Sequence, residues 1–234
     1  MKIDLYDDGI GFVELVDHMG TDLTIVNSAR VSFGKHKNEI DERDKRLIDY
    51  LVKHKHTSTF EHNVITFRVS VPLFVRSQHM RHRTWAYNEI SRRYTEVDIK
   101  FYEPSKFRTQ HESNRQASNF DELINPLVDP SSITGGTSAS WLVRNHNKKS
   151  LYLFNRLIEA GVCREQARGV LPQNLYTEYY GTVNLNNLFK FINLRTHEGA
   201  QWEIQQLAKG MLEIVKDLWP TAVDSYIAAR NDKK

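Results

Sequence analysis

The stretch Phe60–Tyr94, FEHNVITFRVSVPLFVRSQHMRHRTWAYNEISRRY, runs from a core strand into the densest chemistry of the chain. In its first third Ile65, Phe67, Val69 and Val71 alternate with Thr66, Arg68 and Ser70, the period of two of a strand with one buried face. Pro72 closes that strand and suits the first turn of a helix, where its missing N–H would have no partner anyway. The helix is predicted from Leu73 to about Arg83. Beyond it the residues turn basic and polar. Arg81, His82, Arg83, Arg92 and Arg93 surround Asn88, Glu89 and Ser91, with Trp85, Tyr87 and Tyr94 interleaved. Guanidinium forks match phosphate oxygens bidentately, so the cluster reads as an anion site. A solvated helix face is the plain alternative, and the leading strand and the mixed aromatics and amides weigh against it. Single-stranded nucleic acid, with arginines tracking the backbone and aromatics stacking on bases, is a second functional reading. A net charge of +3 argues against it.

Around this stretch the chain alternates between elements. Leu47, Ile48, Leu51 and Val52 form one stripe of a helix predicted over Glu39–Lys53. The segment from Lys106 to Asn147, with SSITGGTSAS at Ser131–Ser140, is polar and lacks apolar periodicity. It is expected to be a long loop or lid within one domain spanning 1–234. A helix follows from about Trp141 to Ala160, with Leu151, Phe154, Leu157 and Ile158 on one face and Gly161 as its stop. A short helix from Cys163 to Val170 ends before Pro172. Tyr176–Val183 reads as a strand, and Leu185–Arg195 and Gln201–Leu218 read as helices, the last bounded by Pro220. Strands and helices without regular β-α-β alternation predict an α+β fold. Glycine-rich dinucleotide and P-loop fingerprints are both absent.

Composition narrows the classes further. The chain has 234 residues, with 32 Lys+Arg against 29 Asp+Glu, 40% hydrophobic and 11% aromatic residues, enough for a real core. The lone Cys163 excludes an internal disulfide framework and is expected to be a small buried filler. No run approaches the roughly 18 apolar residues of a membrane span. The opening MKIDLYDDGIGF lacks a signal-peptide layout, so a soluble cytoplasmic protein is expected, with no membrane and no nucleic acid as partner. His54, His56 and His62 lie near Glu61, but without further ligands no metal is expected.

The motif residues resemble a known family. Arg81-His82-Arg83, seven residues, Ser91, then Arg93-Tyr94 is similar to the signature of the flavin-dependent thymidylate synthases, the ThyX family. His56 and Phe60-Glu61-His62 precede it in the same order. Arg164, Ala167-Arg168, Leu171-Pro172, Asn184, Asn193-Leu194-Arg195 and Ala200-Gln201-Trp202-Glu203-Ile204 follow. The resemblance implies a single-domain α+β fold with a mostly antiparallel sheet flanked by helices. It also implies conversion of dUMP to dTMP, with methylenetetrahydrofolate as one-carbon donor and a hydride from FAD that NADPH reduces. A homotetramer with active sites shared between subunits is expected.

Carried onto this chain, the resemblance implies that Ser58, Arg81, His82, Arg83, Glu89 and Asn184 contact FAD, with His56 near the flavin ring. Gln78, Arg81, Glu89, Ile90, Ser91, Arg92, Arg93 and Arg168 would hold dUMP, Arg168 arriving from another subunit, and Arg195 would sit against the uracil. The candidate catalytic residues are thus Arg195, Ser91 and His56. The chemistry of the side chains adds to this. Arg195 stays protonated, so its role is electrostatic, at the ring anion that forms when C5 is methylated. Ser91 has no nearby histidine to activate it and is expected to bind phosphate without a covalent adduct. The chain departs from the family at Asn186, where an arginine usually helps bind flavin phosphates. Lys190, one helical turn on, is expected to supply the missing charge. Ala86 stands where a serine is common, a change expected to be tolerated. A pyrimidine nucleotide hydroxymethylase of the same fold and a non-catalytic nucleotide-binding protein are the competing functions.

Overall fold

A computed structural model of the chain describes residues 1–95, 98–128 and 136–232. Its centre is a five-stranded sheet in the order β1-β2-β3-β7-β4, in which every neighbouring pair is antiparallel. The strands are β1 (Lys2–Asp4), β2 (Phe12–Met19), β3 (Val64–Pro72), β4 (Ala86–Glu89) and β7 (Tyr176–Asn184). β3 lies in the middle and matches its periodicity: Ile65, Phe67, Val69 and Val71 are fully buried. Each such side chain contributes about 1.5–3 kcal/mol of transfer free energy. The opposite face of β3 is polar. Thr66 shares a hydroxyl hydrogen bond with Thr182, and Arg68 pairs with Glu178 across β7 and with Glu14 across β2.

Helices cover the apolar face. α6 (Leu185–Arg195) begins at Asn184, whose side chain accepts the Asn187 N–H, and buries Leu185, Leu188, Phe191 and Ile192. α7 (Trp202–Leu218) crosses β1 and β2 closely enough that a Cβ on Gly210 would stand 2.8 Å from Val13. α8 (Pro220–Asn231) is an element the periodicity missed. Pro220 does end α7, but it also occupies the first turn of the next helix, where proline is favoured. Asp22, at the start of α1 (Asp22–Arg30), accepts the N–H groups of Thr221 and Ala222 and fastens α8 to the N-terminal half. α2 spans Glu42–Lys53 and starts three residues later than predicted, at the Asp41 capping box.

Two stretches differ from expectation more substantially. α3 (Leu73–His79) stops four residues short of Arg83 because the chain must turn back for β4 to pair with β7. The Tyr87 hydroxyl locks that turn by donating to the carbonyls of His79 and His82. The polar excursion is partly ordered: β5 (Phe107–Gln110) and β6 (Ser118–Ile124) form an antiparallel hairpin, and α4 (Ala139–Glu159) begins within its last turn. The hairpin strands are short, mostly solvent-facing and bulged between Arg108 and Thr109, so no alternation marks them. The first half of SSITGGTSAS lies outside the described residues. Gly161 takes φ +88° just beyond α4, as a left-handed stop requires. Cys163 is exposed, not buried, because it caps the surface turn into α5 (Arg164–Ala167).

Candidate active site

The basic stretch folds as helix end, turn, strand and turn, and this separates its charges. Arg81, His82 and Arg83 occupy the turn before β4, whereas Ser91, Arg92 and Arg93 follow it. Four strand residues alone put roughly 13 Å between the two groups. They are two candidate half-sites.

At the second turn, Tyr94 and Thr95 donate their N–H groups to the Ser91 carbonyl, and the Arg93 N–H donates to Ser91 Oγ at 3.3 Å. Ile90 is exposed, its N–H held by Glu178 O. Glu89, Ile90, Ser91 and Arg92 line a cavity of about 540 Å³ together with Arg168, Leu73, Arg76 and Thr177. Arg168 and Ser91 of one chain thus line the same cavity. The Arg93–Glu165 contact at 4.0 Å brings α5 and the following Arg168 turn against the motif. Glu89 faces the cavity with its carboxylate already engaged, by Arg76 Nε at 2.9 and 3.0 Å and by the Thr177 hydroxyl at 2.7 Å. Arg76 and Thr177 escape the sequence reading: Arg76 lies five residues before the Arg81-His82-Arg83 motif and Thr177 sits in a strand. Among the described residues no imidazole or carboxylate bonds to Ser91 Oγ, consistent with a phosphate ligand that is not an activated nucleophile.

At the first turn, Arg195 from the end of α6 donates through Nε to His82 Nε2 at 3.0 Å and through Nη2 to the Gln78 carbonyl at 3.2 Å. Burial, then the guanidinium of Arg195, holds the His82 pKa down to about 4, so the ring is a neutral acceptor. Burial and the nearby Arg81 push the Arg195 pKa down. Neither Arg195 nor Arg81 pairs with a carboxylate among the described residues. Two adjacent cations left in this state are a seat for an anion or for a group that becomes one. The Gln78 amide donates to Gln201, which in turn donates to the buried Glu203. Gln201 and Glu203 belong to the quoted Ala200–Ile204 motif, to which the sequence alone assigned no role.

The remaining candidates lie toward the other end of α6. His56 and Ser58 are exposed in and beside the 3-10 turn Thr57–Phe60, with His56 stacked near Tyr50 at 5.8 Å. Asn184 caps α6. Asn186 is buried and spends its amide on Glu61 Oε1 at 2.7 Å, so it does not stand in for a phosphate-binding arginine. Lys190 is exposed, bonded to Asn187 Oδ1 at 3.3 Å, and shares the rim of a cavity of about 310 Å³ with Lys55 and Arg230. Among the described residues no helix is long and apolar enough to cross a membrane.

Residues 14–221 match the family model described as thymidylate synthase complementing protein. The chain belongs to that family. Among its relatives is a flavin-dependent thymidylate synthase of Thermus thermophilus, 46% identical over 212 residues, 91% of this chain and 74% of that protein. The enzyme of the same description from Thermotoga neapolitana is 41% identical over 227 residues, covering 97% of this chain and 94% of its own. A solved structure of the UMP/dUMP methylase PolB from Streptomyces cacaoi, bound with 5-Br dUMP, superposes with a TM-score of 0.75 at 32% identity. It covers 93% of this chain and 95% of that one. The same methylase bound with 5-Br UMP gives a TM-score of 0.76. The antiparallel α+β architecture expected from the motifs is thus the architecture of the family.

Proposed function

We propose that this protein is a flavin-dependent thymidylate synthase that methylates dUMP to dTMP, with methylenetetrahydrofolate as one-carbon donor and NADPH as reductant. The observation that carries the reading is the proximity of Arg195 and Arg81 with no carboxylate partner among the described residues, set against a neutral His82. Uracil C5 becomes nucleophilic only as negative charge spreads over its carbonyl oxygens. A fixed guanidinium at that edge stabilises such charge without reorganising. Arg195 is held for this by two acceptors, the His82 ring and the Gln78 carbonyl.

The residues present fit FAD. Arg81 and Arg83 offer cations in an exposed turn, neutral His82 and the Asn184 amide offer neutral hydrogen-bonding groups, and Lys190 adds a cation farther along α6. When bound, the flavin supplies the hydride. The phosphate of dUMP suits the other half-site, where Ser91, Arg92 and Arg168 share one cavity and Glu89 with Ile90 forms its wall. Since the half-sites flank β4, one nucleotide would bridge Gln78, Arg81 and Arg195 of one subunit and the Ser91 turn of another. A homotetramer with shared sites satisfies this. Its apolar contacts are supplied by Trp141, Tyr152 and Leu153 on α4, which are 51%, 67% and 47% exposed. Residues of the 106–147 excursion would form a lid.

The test is anaerobic incubation of the protein with dUMP, methylenetetrahydrofolate, FAD and NADPH, followed by mass spectrometry of the nucleotide. dTMP is expected. Hydroxymethyl-dUMP as the main product, or a protein that takes up no flavin, refutes the reading.

A further inference from the structure

Behind Gln78 lies a chain of hydrogen bonds with a single direction. Glu203 is 3% exposed and its carboxylate accepts from Arg108 at 2.8 and 2.9 Å, from the Tyr102 hydroxyl at 3.1 Å and from Gln201 Nε2 at 3.0 Å. A carboxylate clamped by a guanidinium can only accept. Gln201 must therefore turn its NH2 toward Glu203 and its Oε1 toward Gln78. Gln78, in turn, must meet that oxygen with its own NH2, as it does. An amide is otherwise free to flip, because its two ends have nearly the same shape. Here one buried charge removes that freedom two residues away. Arg108 reaches Glu203 from the hairpin strand β5, stacks over Trp202 at 5.4 Å and is itself fastened by Ser118, so the anchor does not swing.

The consequence falls on what Gln78 shows the ligand. With one N–H committed to Gln201, the order of the amide's Oε1 and second N–H is fixed, on the residue whose backbone carbonyl accepts from the all-donor guanidinium of Arg195. We propose that Glu203, acting through Gln201, is a positioning residue that fixes the hydrogen-bond polarity of Gln78 and so makes the site select a uracil over a cytosine edge. Uracil offers an N3–H donor flanked by carbonyl acceptors, which complements an acceptor next to donors. Cytosine reverses both groups: its bare N3 meets Oε1 and its amine meets the arginine. A polar edge mismatched in this way leaves desolvated groups unpaired, the costly case in recognition. The proposal rests on the pyrimidine nucleotide reading above and goes beyond it, to the residues that enforce the base.

The experiment compares affinities of the FAD-loaded protein for dUMP, dCMP and 2-deoxyribose 5-phosphate, which lacks the base. Two variants are used. Glu203→Gln lets the first link donate and the whole chain reverse. Gln201→Leu cuts the relay while leaving the Glu203–Arg108 pair in place, and decides the matter if the first variant does not fold. Each is expected to shrink the preference for dUMP over dCMP by about tenfold, with sugar phosphate affinity unchanged within about twofold. A parallel loss for all three ligands means a merely structural role and overturns the proposal, as does an unchanged preference. A wild-type protein that binds dUMP and dCMP equally also overturns it. One that binds neither overturns the functional reading beneath it.

Discussion

The two ends of β4 are furnished with the same residue types and are electrostatically unlike. At the Ser91 end Arg76 is neutralised by Glu89, with Thr177 completing the carboxylate, and Arg93 reaches toward Glu165. At the Arg81 end, Arg195 faces a second guanidinium and a histidine kept neutral. The first end is a preassembled wall whose charges are partly spent on each other. The second holds cations that no carboxylate among the described residues answers. Arginines that look equivalent in a motif thus divide into those that build a site and those that await a ligand, and only their carboxylate partners tell them apart.

Removing the unanswered charge is the severest way to break this contrast. Arg195→Gln is expected to lower the rate of dTMP formation roughly 10²–10³-fold while the thermal transition stays near that of the wild type. A loss smaller than tenfold would show that Arg195 is only a helix-end cation. Removing the answered charge should act on stability first. Arg76→Ala leaves the Glu89 carboxylate half-buried with Thr177 alone, at a cost of about 1–2 kcal/mol after allowance for solvent screening. Urea midpoints measure it, and the double variant Arg76→Ala with Glu89→Gln should recover most of the loss. If the double variant is no better than the single one, the pair is not what Arg76 contributes.

A third, smaller effect sharpens the other end. His82 has a folded-state pKa of about 4, below its ordinary value near 6.5. The unfolded chain therefore binds this proton first as the pH falls. Stability contributed by neutral His82 is present in full above pH 6.5 and drains away between there and about pH 4, by on the order of 1 kcal/mol once partial exposure is considered. His82→Gln should flatten that part of the stability curve, and an unaltered slope would place the acid sensitivity elsewhere, with the buried His79 as the first suspect. The smallest effect concerns the flavin. With Asn186 tied to Glu61 and only the exposed Lys190 nearby, FAD affinity is expected to fall several-fold between low and high salt. Nanomolar binding indifferent to salt would show that Lys190 is not the compensating charge.

Legibility in the sequence followed burial pattern. β3 and α6 announced themselves because the buried face of each is apolar, Asn186 of α6 apart, and the periods of two and 3.6 survive. β4 did not, since Ala86–Glu89 is a short edge strand with every side chain at least partly exposed and its pairing is with a strand ninety residues away. The β5–β6 hairpin was hidden for the same reason. Of the candidate site, Arg81, His82, Ser91 and Arg92 stood out in the sequence as an anion-binding cluster and Arg168 and Arg195 through the family resemblance, while the pairing of Glu89 with Arg76 and the Gln78–Gln201–Glu203 chain did not. No local rule links residue 78 to residue 201.

By itself the sequence determined which segments could bury a face, that the sheet and helices would mix without β-α-β alternation, and which side chains could hold nucleotide anions. The tertiary structure alone decided which of those cations lack a carboxylate partner among the described residues, and that one motif divides between the two ends of β4. Hydrophobic period is a local property, set by the spacing of side chains along one element. Charge pairing and hydrogen-bond direction depend on groups that meet only after the chain has folded, and in a chain with 32 cations and 29 anions that meeting selects the few arginines left for the ligand.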